Sequence, residues 1–166
     1  DIYSDRTCFW VKRGRRYQQI SYQRFRRLAF RLTAFFHRQG ISKGDRVAIV
    51  ADNPLEWMVV YVACLLSGSI VVPLRAWLPP SALREMLRNS GACLAIVQGE
   101  EQEYIIQEAG RELPDLRRVL IVEDAISETY PEVTPIATLL AKGLTLEEIE
   151  MLRSHAASIE PQAFAL

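Results

Sequence analysis

The sequence of residues 46–74 is RVAIVADNPLEWMVVYVACLLSGSIVVPL. Its apolar run at 46–50 is typical of a strand that is buried on both faces, as in a parallel sheet. Pro54 fits the first turn of a helix, and residues 55–66 are apolar almost all round, which predicts a deeply buried helix. A Ser-Gly-Ser interruption then precedes a second strand at 70–74. A strand, a helix and another strand in this order predict a crossover unit with two parallel strands.

The uncharged stretch 57–74 is just long enough to cross a bilayer. The Ser-Gly-Ser interruption and Pro73 divide it into two short pieces. Two buried elements therefore explain it better than one membrane span.

The same alternation continues towards the carboxyl terminus. The pattern predicts helices at 81–89 and 101–109 and strands at 93–97 and 118–122. This alternation predicts an α/β fold with a mainly parallel sheet and helices on both of its faces.

The pattern weakens after residue 123. Tyr130-Pro131 and Thr134-Pro135 indicate a loop. Thr145 and Glu148 have the spacing of a capping box, which predicts a helix to about residue 158. Residues 163–166 are typical of the beginning of another strand.

A short β-hairpin is predicted before the sheet, because the apolar segments 8–11 and 17–20 flank Gly14. Ser21 then suits a helix N-cap, and Gly40 suits the left-handed position that ends a helix. Apolar residues recur between them at three- and four-residue steps, which places them on one helix face: Phe25, Leu28, Ala29, Leu32, Phe35 and Phe36.

The charges of the chain are segregated, although the formal net charge is zero. No Asp or Glu occurs from Arg6 to Lys43, whereas residues 100–150 are rich in acids. One interpretation is a dipolar surface whose halves meet each other or a neighbouring domain; another is a basic face for an anionic ligand or lipid. The zero net charge argues against a nucleic-acid partner.

The cysteines Cys8, Cys64 and Cys93 are far apart, and none belongs to a CxxC pair. This spacing favours buried free thiols over a zinc site or a disulfide framework. Free thiols suit a reducing compartment, and the polar start at residues 1–5 does not fit a signal peptide, so we expect a cytoplasmic protein.

Motifs that carry chemistry are not evident in the sequence. There is no GxGxxG, GxxxxGK[ST], GxSxG or HExxH pattern. His37 and His155 belong to none of these motifs and are interpreted as surface or satisfied histidines. The sequence therefore predicts no catalytic, cofactor-binding or metal-binding residue.

Two features at predicted strand ends leave alternatives open. Asp52 and Asn53 follow a strand at the edge where ligands bind in parallel sheets, but capping of the next helix is favoured. Trp57 and Trp77 could line a pocket, but core packing is favoured.

Several segments in order carry a family resemblance. They are 20–22 (ISY), 41–50 (ISKGDRVAIV), 53–57 (NPLEW), 63–74 (ACLLSGSIVVPL), 87–92 (LRNSGA) and 112–117 (ELPDLR). This series resembles the amino-terminal region of the AMP-forming acyl-CoA synthetase superfamily, over nearly the whole chain. The segment 112–117 is similar to the long-chain fatty acid members.

The resemblance implies a fatty acid-CoA ligase that forms an acyl-adenylate from a carboxylate and ATP and then transfers the acyl group to CoA, with Mg²⁺ accompanying ATP. Fatty acid, ATP and CoA would be bound by parts of the protein outside this segment, so the segment itself is expected to bind no cofactor and to be inactive. A homodimer and a peripheral membrane contact are further partner expectations.

The resemblance also implies a single amino-terminal subdomain over 1–166, truncated before the family's Ser/Thr/Gly-rich phosphate loop. Residues 161–164 (PQAF) lack the acidic residue of the family's P-x-DLA pattern, and no catalytic residue can be carried over. Within the class, the alternatives are a ligase that loads a carrier protein or one that leaves the acyl-adenylate. From other classes, the alternatives are a non-catalytic interaction or dimerisation module and an unrelated doubly wound binding protein.

Overall fold

A computed structural model of the chain describes residues 2–13, 15–52, 54–109, 112–122, 134–135 and 143–158. A hairpin precedes alternating helices and strands. In chain order the elements are β1 Thr7–Arg13, β2 Arg16–Ser21, α1 Tyr22–Arg38, β3 Arg46–Val50, α2 Pro54–Ser67, β4 Ile70–Leu74, α3 Pro80–Ser90, β5 Leu94–Val97, α4 Glu100–Glu108, β6 Arg118–Ile121, β7 Thr134–Pro135 and α5 Leu146–Ser158.

The main sheet has the strand order β4-β3-β5-β6-β7, and every neighbouring pair is parallel. Strand β3 lies between β4 and β5, with Val47 opposite both Val71 and Leu94. The antiparallel β1–β2 hairpin forms a separate two-stranded sheet. The predicted α/β class, parallel sheet and leading hairpin are confirmed.

Strand β7 corrects the prediction of a loop at Thr134-Pro135. These two residues pair in parallel with Leu120 and Ile121 of β6. A two-residue strand is too short to produce an alternating pattern, and its Pro argues against a strand in sequence terms. The predicted strand at 163–166 lies outside the described residues.

Alternate residues of the strands point to opposite faces of the sheet, and each face has its own core. Val47, Ile49 and Ile96 pack in one cluster with the hairpin, α1 and α2. Ala48, Val50 and Val97 share the other cluster with residues of α3 and α4. The two clusters confirm helices on both faces.

Helix α1 begins and ends at the predicted residues. The Ser21 hydroxyl oxygen accepts a hydrogen bond of 3.2 Å from the Arg24 amide, which satisfies one backbone donor of the first turn. Gly40 has a φ of 70°, the left-handed conformation expected after the last turn. The apolar face packs into the core through Leu32, Phe35 and Phe36.

Helix α2 is less buried than predicted. One face is buried and includes Leu55, Val59 and Ala63, whereas the opposite face is half-buried and includes Met58 and Val62. Apolar residues all round a helix show that it tolerates burial, but they do not show how many neighbours cover it. In the described part of the chain, no helix combines the length and apolarity needed to cross a bilayer.

Candidate functional site at the carboxyl edge of the sheet

The carboxyl ends of β3, β4 and β5 lie at one edge of the sheet, because these neighbouring strands are parallel and in register. The residues that follow them are Asp52, residues 75–77 and Gln98. Ligands of open parallel sheets bind at this edge. It is therefore the candidate site of the fold.

Two glutamines connect the loops at this edge. Gln98 Oε1 accepts a hydrogen bond of 2.9 Å from the Asp52 amide, which links the ends of β5 and β3. Gln102, near the start of α4, accepts from the Gly99 amide at 3.1 Å and donates to the Ala76 carbonyl at 3.0 Å. The Gln102 side chain thus fixes the loop after β4 to the loop after β5.

These glutamines were missed at the level of sequence. Gln102 stands three residues after Gly99 at a helix start, which is the position of Gln in a capping box. That spacing was the available signal for its bond to the Gly99 amide. Its bond to Ala76 joins two loops distant in sequence, and no local pattern contains it.

Trp77 is at the surface of this edge. Its side chain is 66% exposed, and the Arg75 guanidinium carbon lies 5.0 Å from the ring centroid, within range of a cation–π contact. The predicted core packing of Trp77 is therefore wrong. Trp57 is half-buried against the core and stacks on Tyr61 with centroids 5.3 Å apart, which confirms its packing role.

The edge presents a carboxylate at Asp52 and a guanidinium at Arg75, both exposed. Such groups can bind or position a polar ligand. Among the described residues, no cluster of three or more His, Cys, Asp or Glu side chains could hold a metal ion. Asn53 lies outside the described residues, so its capping role stays a prediction.

The two histidines lie elsewhere, where α5 contacts α1. The rings of His37 and His155 are edge to face with centroids 5.6 Å apart. Both Nε2 atoms are buried, and neither has a hydrogen-bond partner among the described residues. The interpretation as surface or satisfied histidines is wrong, because distant segments bring the two rings together. Burial, and secondarily the neighbouring His155, lower the pKa of His37.

Arg38 and Glu148 form an ion pair beside the histidines. Arg38 belongs to the acid-free segment, and Glu148 belongs to the acid-rich one. At this contact the two oppositely charged parts of the chain meet each other, as the first interpretation of the charge pattern expects.

The three cysteines are free thiols, as predicted. Cys64 and Cys93 are buried, but Cys8 is only half-buried. Burial raises the pKa of Cys64 to about 12. Its thiol therefore remains protonated near neutral pH and is a poor nucleophile.

Comparison with known proteins identifies the family. The family model described as AMP-binding enzyme matches residues 2–155. The chain is 26% identical to the long-chain-fatty-acid–CoA ligase ACSBG1 of Bos taurus over 89% of the chain and 20% of that protein. It is 28% identical to the crotonobetaine/carnitine–CoA ligase of Shigella sonnei over 76% of the chain and 25% of that protein.

Solved structures show the same fold. The coronafacic acid ligase of Pectobacterium brasiliense matches with a TM-score of 0.71 and 22% identity, over 85% of the chain and 27% of that structure. A benzoate CoA ligase of Burkholderia xenovorans matches with a TM-score of 0.65 and 17% identity, over 84% of the chain and 26% of that structure.

The chain spans about a fifth to a quarter of the length of the curated relatives described above. The family match nevertheless extends from residue 2 to residue 155, almost the whole chain. This chain therefore belongs to the AMP-binding enzyme family, as a segment similar to the acyl-CoA ligases.

Proposed function

We propose that this chain is the amino-terminal scaffold of an AMP-forming fatty acid–CoA ligase. The observation that carries the proposal is the family match over residues 2–155. The long-chain-fatty-acid–CoA ligase of Bos taurus supports a fatty acid as the carboxylate substrate. The three free thiols favour a reducing, cytoplasmic location.

The proposed reaction has two steps. A carboxylate oxygen of the fatty acid attacks the α-phosphorus of ATP, and the bond to the departing pyrophosphate breaks. The CoA thiolate then attacks the acyl carbonyl carbon, and AMP leaves with the electron pair of the former anhydride bond. AMP is a far better leaving group than the oxide of a free carboxylate, which is why the first step makes the second feasible.

The described residues suit a scaffold better than a reaction centre. Among them no side-chain cluster could hold a metal ion, so we assign no Mg²⁺ ligand to the described residues. The contribution we assign to them is rigid support. Gln98 and Gln102 fix the loops at the carboxyl edge, so that Asp52 and Arg75 are presented in fixed positions to substrates or to the rest of the enzyme.

The test uses the full product of the gene that encodes this chain. The purified protein would be incubated with ATP, Mg²⁺, CoA and fatty acids of increasing length, and AMP, pyrophosphate and acyl-CoA would be quantified. We expect equal amounts of AMP and acyl-CoA. If an acyl-adenylate accumulates despite CoA, the enzyme releases the adenylate and CoA is not the acceptor. If a thioester forms only on a carrier protein, the carrier protein is the acceptor instead of CoA. Production of ADP would contradict the proposal.

A second experiment addresses the segment by itself. Titration calorimetry of residues 1–166 with ATP and Mg²⁺ is expected to show no micromolar binding, because a phosphate site needs several converging backbone amides or cations. Micromolar binding would contradict the scaffold role. Sedimentation of the same chain tests the alternative of an interaction module. A stable dimer would favour that alternative over the scaffold role.

A further inference from the structure

An open cleft of about 700 Å³ lies between the amino-terminal segment 2–7, α1 and α2. This volume is within the range of small-molecule sites, roughly 300–1,000 Å³. The deeper lining is apolar and comes from both helices: Phe25, Ala29, Phe30, Val62 and Leu66.

The mouth of the cleft has a different character. Its exposed lining residues are Ile2, Tyr3, Arg6, Tyr22, Gln23 and Arg26. Tyrosines and arginines combine an apolar body with a polar end, and they are common where an apolar site meets water. The Arg6 guanidinium carbon lies 4.9 Å from the Tyr3 ring centroid, which holds one cation beside one ring.

The lining of the cleft carries positive charge, although the exposed Asp5 lies beside Arg6 in the same segment. No lining residue is Asp or Glu, and two are Arg. Helix α1, which forms one wall, carries no acidic residue. A wall of one sign raises the local concentration of ligands of the opposite sign. The cleft is therefore complementary to a molecule with an apolar body and a negative end.

We propose that this cleft binds an anionic amphiphile, with one acyl chain along the apolar lining and a carboxylate or phosphate head group at Arg6 and Arg26. A free fatty acid and a membrane phospholipid share this chemistry. The site is separate from the carboxyl edge, because neither Asp52, Arg75 nor Gln98 lines it. The proposal does not rest on ligase activity.

The test measures binding of decanoate and of decanol, which has the same chain length without the charge, to the 166-residue chain by calorimetry. We expect saturable binding of one decanoate per chain. The double variant Arg6→Gln/Arg26→Gln should weaken it about tenfold, because it removes two exposed charge-assisted contacts that water partly screens. The matched control Arg24→Gln/Arg27→Gln removes two exposed arginines of α1 that do not line the cleft and should retain the affinity.

A second variant tests the apolar part of the site. Val62→Phe places a larger side chain in the lining from a half-buried position, and it should weaken decanoate binding without removing charge. Thermal unfolding of each variant, followed by circular dichroism, verifies that it is folded.

Co-sedimentation with vesicles identifies the source of the amphiphile. Vesicles of phosphatidylcholine with phosphatidylglycerol would be compared with phosphatidylcholine alone. Binding of decanoate without co-sedimentation assigns the cleft to a monomeric fatty acid. Co-sedimentation with the anionic vesicles, lost in Arg6→Gln/Arg26→Gln but not in the control, assigns it to a membrane lipid. The proposal is overturned if neither probe binds, if decanol binds as tightly as decanoate, or if both arginine pairs have the same effect.

Discussion

The imidazole rings of His37 and His155 meet edge to face at 5.6 Å, where helix α5 contacts α1. Both Nε2 atoms are buried, and in the part of the chain that the structure describes neither has a hydrogen-bond partner. The contact suits neutral rings, since two imidazolium ions would repel each other at this separation. The attachment of α5 is therefore expected to depend on the protonation state of His37.

Acidification is expected to lower the free energy of unfolding. The pKa of His37 is lowered in the folded chain. Above the unfolded-state pKa of about 6.5, His37 is neutral in both the folded and the unfolded chain, and the free energy of unfolding has its full magnitude. As the pH falls from that value towards the lower folded pKa, the unfolded chain takes up the proton first and stability decreases. Urea unfolding at pH 7.5, 6.5 and 5.5 measures the effect.

The matched control for the pH experiment is His37→Phe, which keeps a flat ring but cannot titrate. Its unfolding midpoint should vary less between pH 7.5 and 5.5 than that of the unchanged chain. The neighbouring Glu148 does not contribute in this range, because its pKa is lowered from an already acidic value, chiefly by the Thr145 amide. Equal losses of stability in both proteins would contradict the role of His37.

Thr145→Ala is expected to destabilise α5 by about 1 kcal/mol, the usual effect of losing an N-cap hydroxyl. The Thr145 hydroxyl accepts from the Glu148 amide at 3.1 Å, and a Glu148 carboxylate oxygen accepts from the Thr145 amide at 3.0 Å. Glu148→Gln should have a smaller effect, because Gln also serves in a capping box. Urea unfolding measures both, and Glu147→Gln controls for the lost charge. An unchanged midpoint in Thr145→Ala would refute the cap.

Gly91→Ala should destabilise the chain more than Gly40→Ala. Both glycines have a positive φ, of 60° and 70°, so each substitution places an L-residue in a left-handed conformation at a cost of roughly 1–2 kcal/mol. At Gly91 the added Cβ would also lie 3.1 Å from Arg46 Nη2, whereas at Gly40 no atom of the described residues lies within 4 Å. Thermal unfolding of the two variants ranks them. Equal melting temperatures would show that the crowding at Gly91 is relieved without cost.

Gln102→Ala is expected to lower the free energy of unfolding by about 1–3 kcal/mol, because it leaves the Ala76 carbonyl and the Gly99 amide without their partner. Gln107→Ala, on the same helix, controls for the change in helix propensity. Hydrogen exchange should show faster exchange at residues 75–77 and 98–99 in Gln102→Ala alone. Unaltered exchange at these loops would contradict the proposed role of Gln102.

Local chemistry determined which parts of the fold could be predicted. Helix α1 was predictable because Ser21, the spaced apolar residues and Gly40 define its start, face and end within one segment. Strands β3 and β5 were predictable because burial on both faces of a parallel sheet demands a continuous apolar run. Strand β7 was not predictable, since two residues carry no periodicity.

Contacts between distant segments account for the rest. The sequence around each histidine gives no sign of their contact, because His37 and His155 are brought together only when α5 packs near α1. Trp77 was assigned to the core from its aromatic character, but exposure depends on what covers a residue in three dimensions. The bond from Gln102 to Ala76 likewise joins two loops that only the completed sheet places side by side.

The central claim is that this chain is part of an enzyme that activates carboxylates with ATP. Its most direct test is fatty acid-dependent exchange of labelled pyrophosphate into ATP by the full product of the gene that encodes this chain, with Mg²⁺ and without CoA. The account predicts exchange that requires the fatty acid, because acyl-adenylate formation is reversible in the absence of an acceptor. A folded, full-length product that shows no exchange with any fatty acid tested would contradict it.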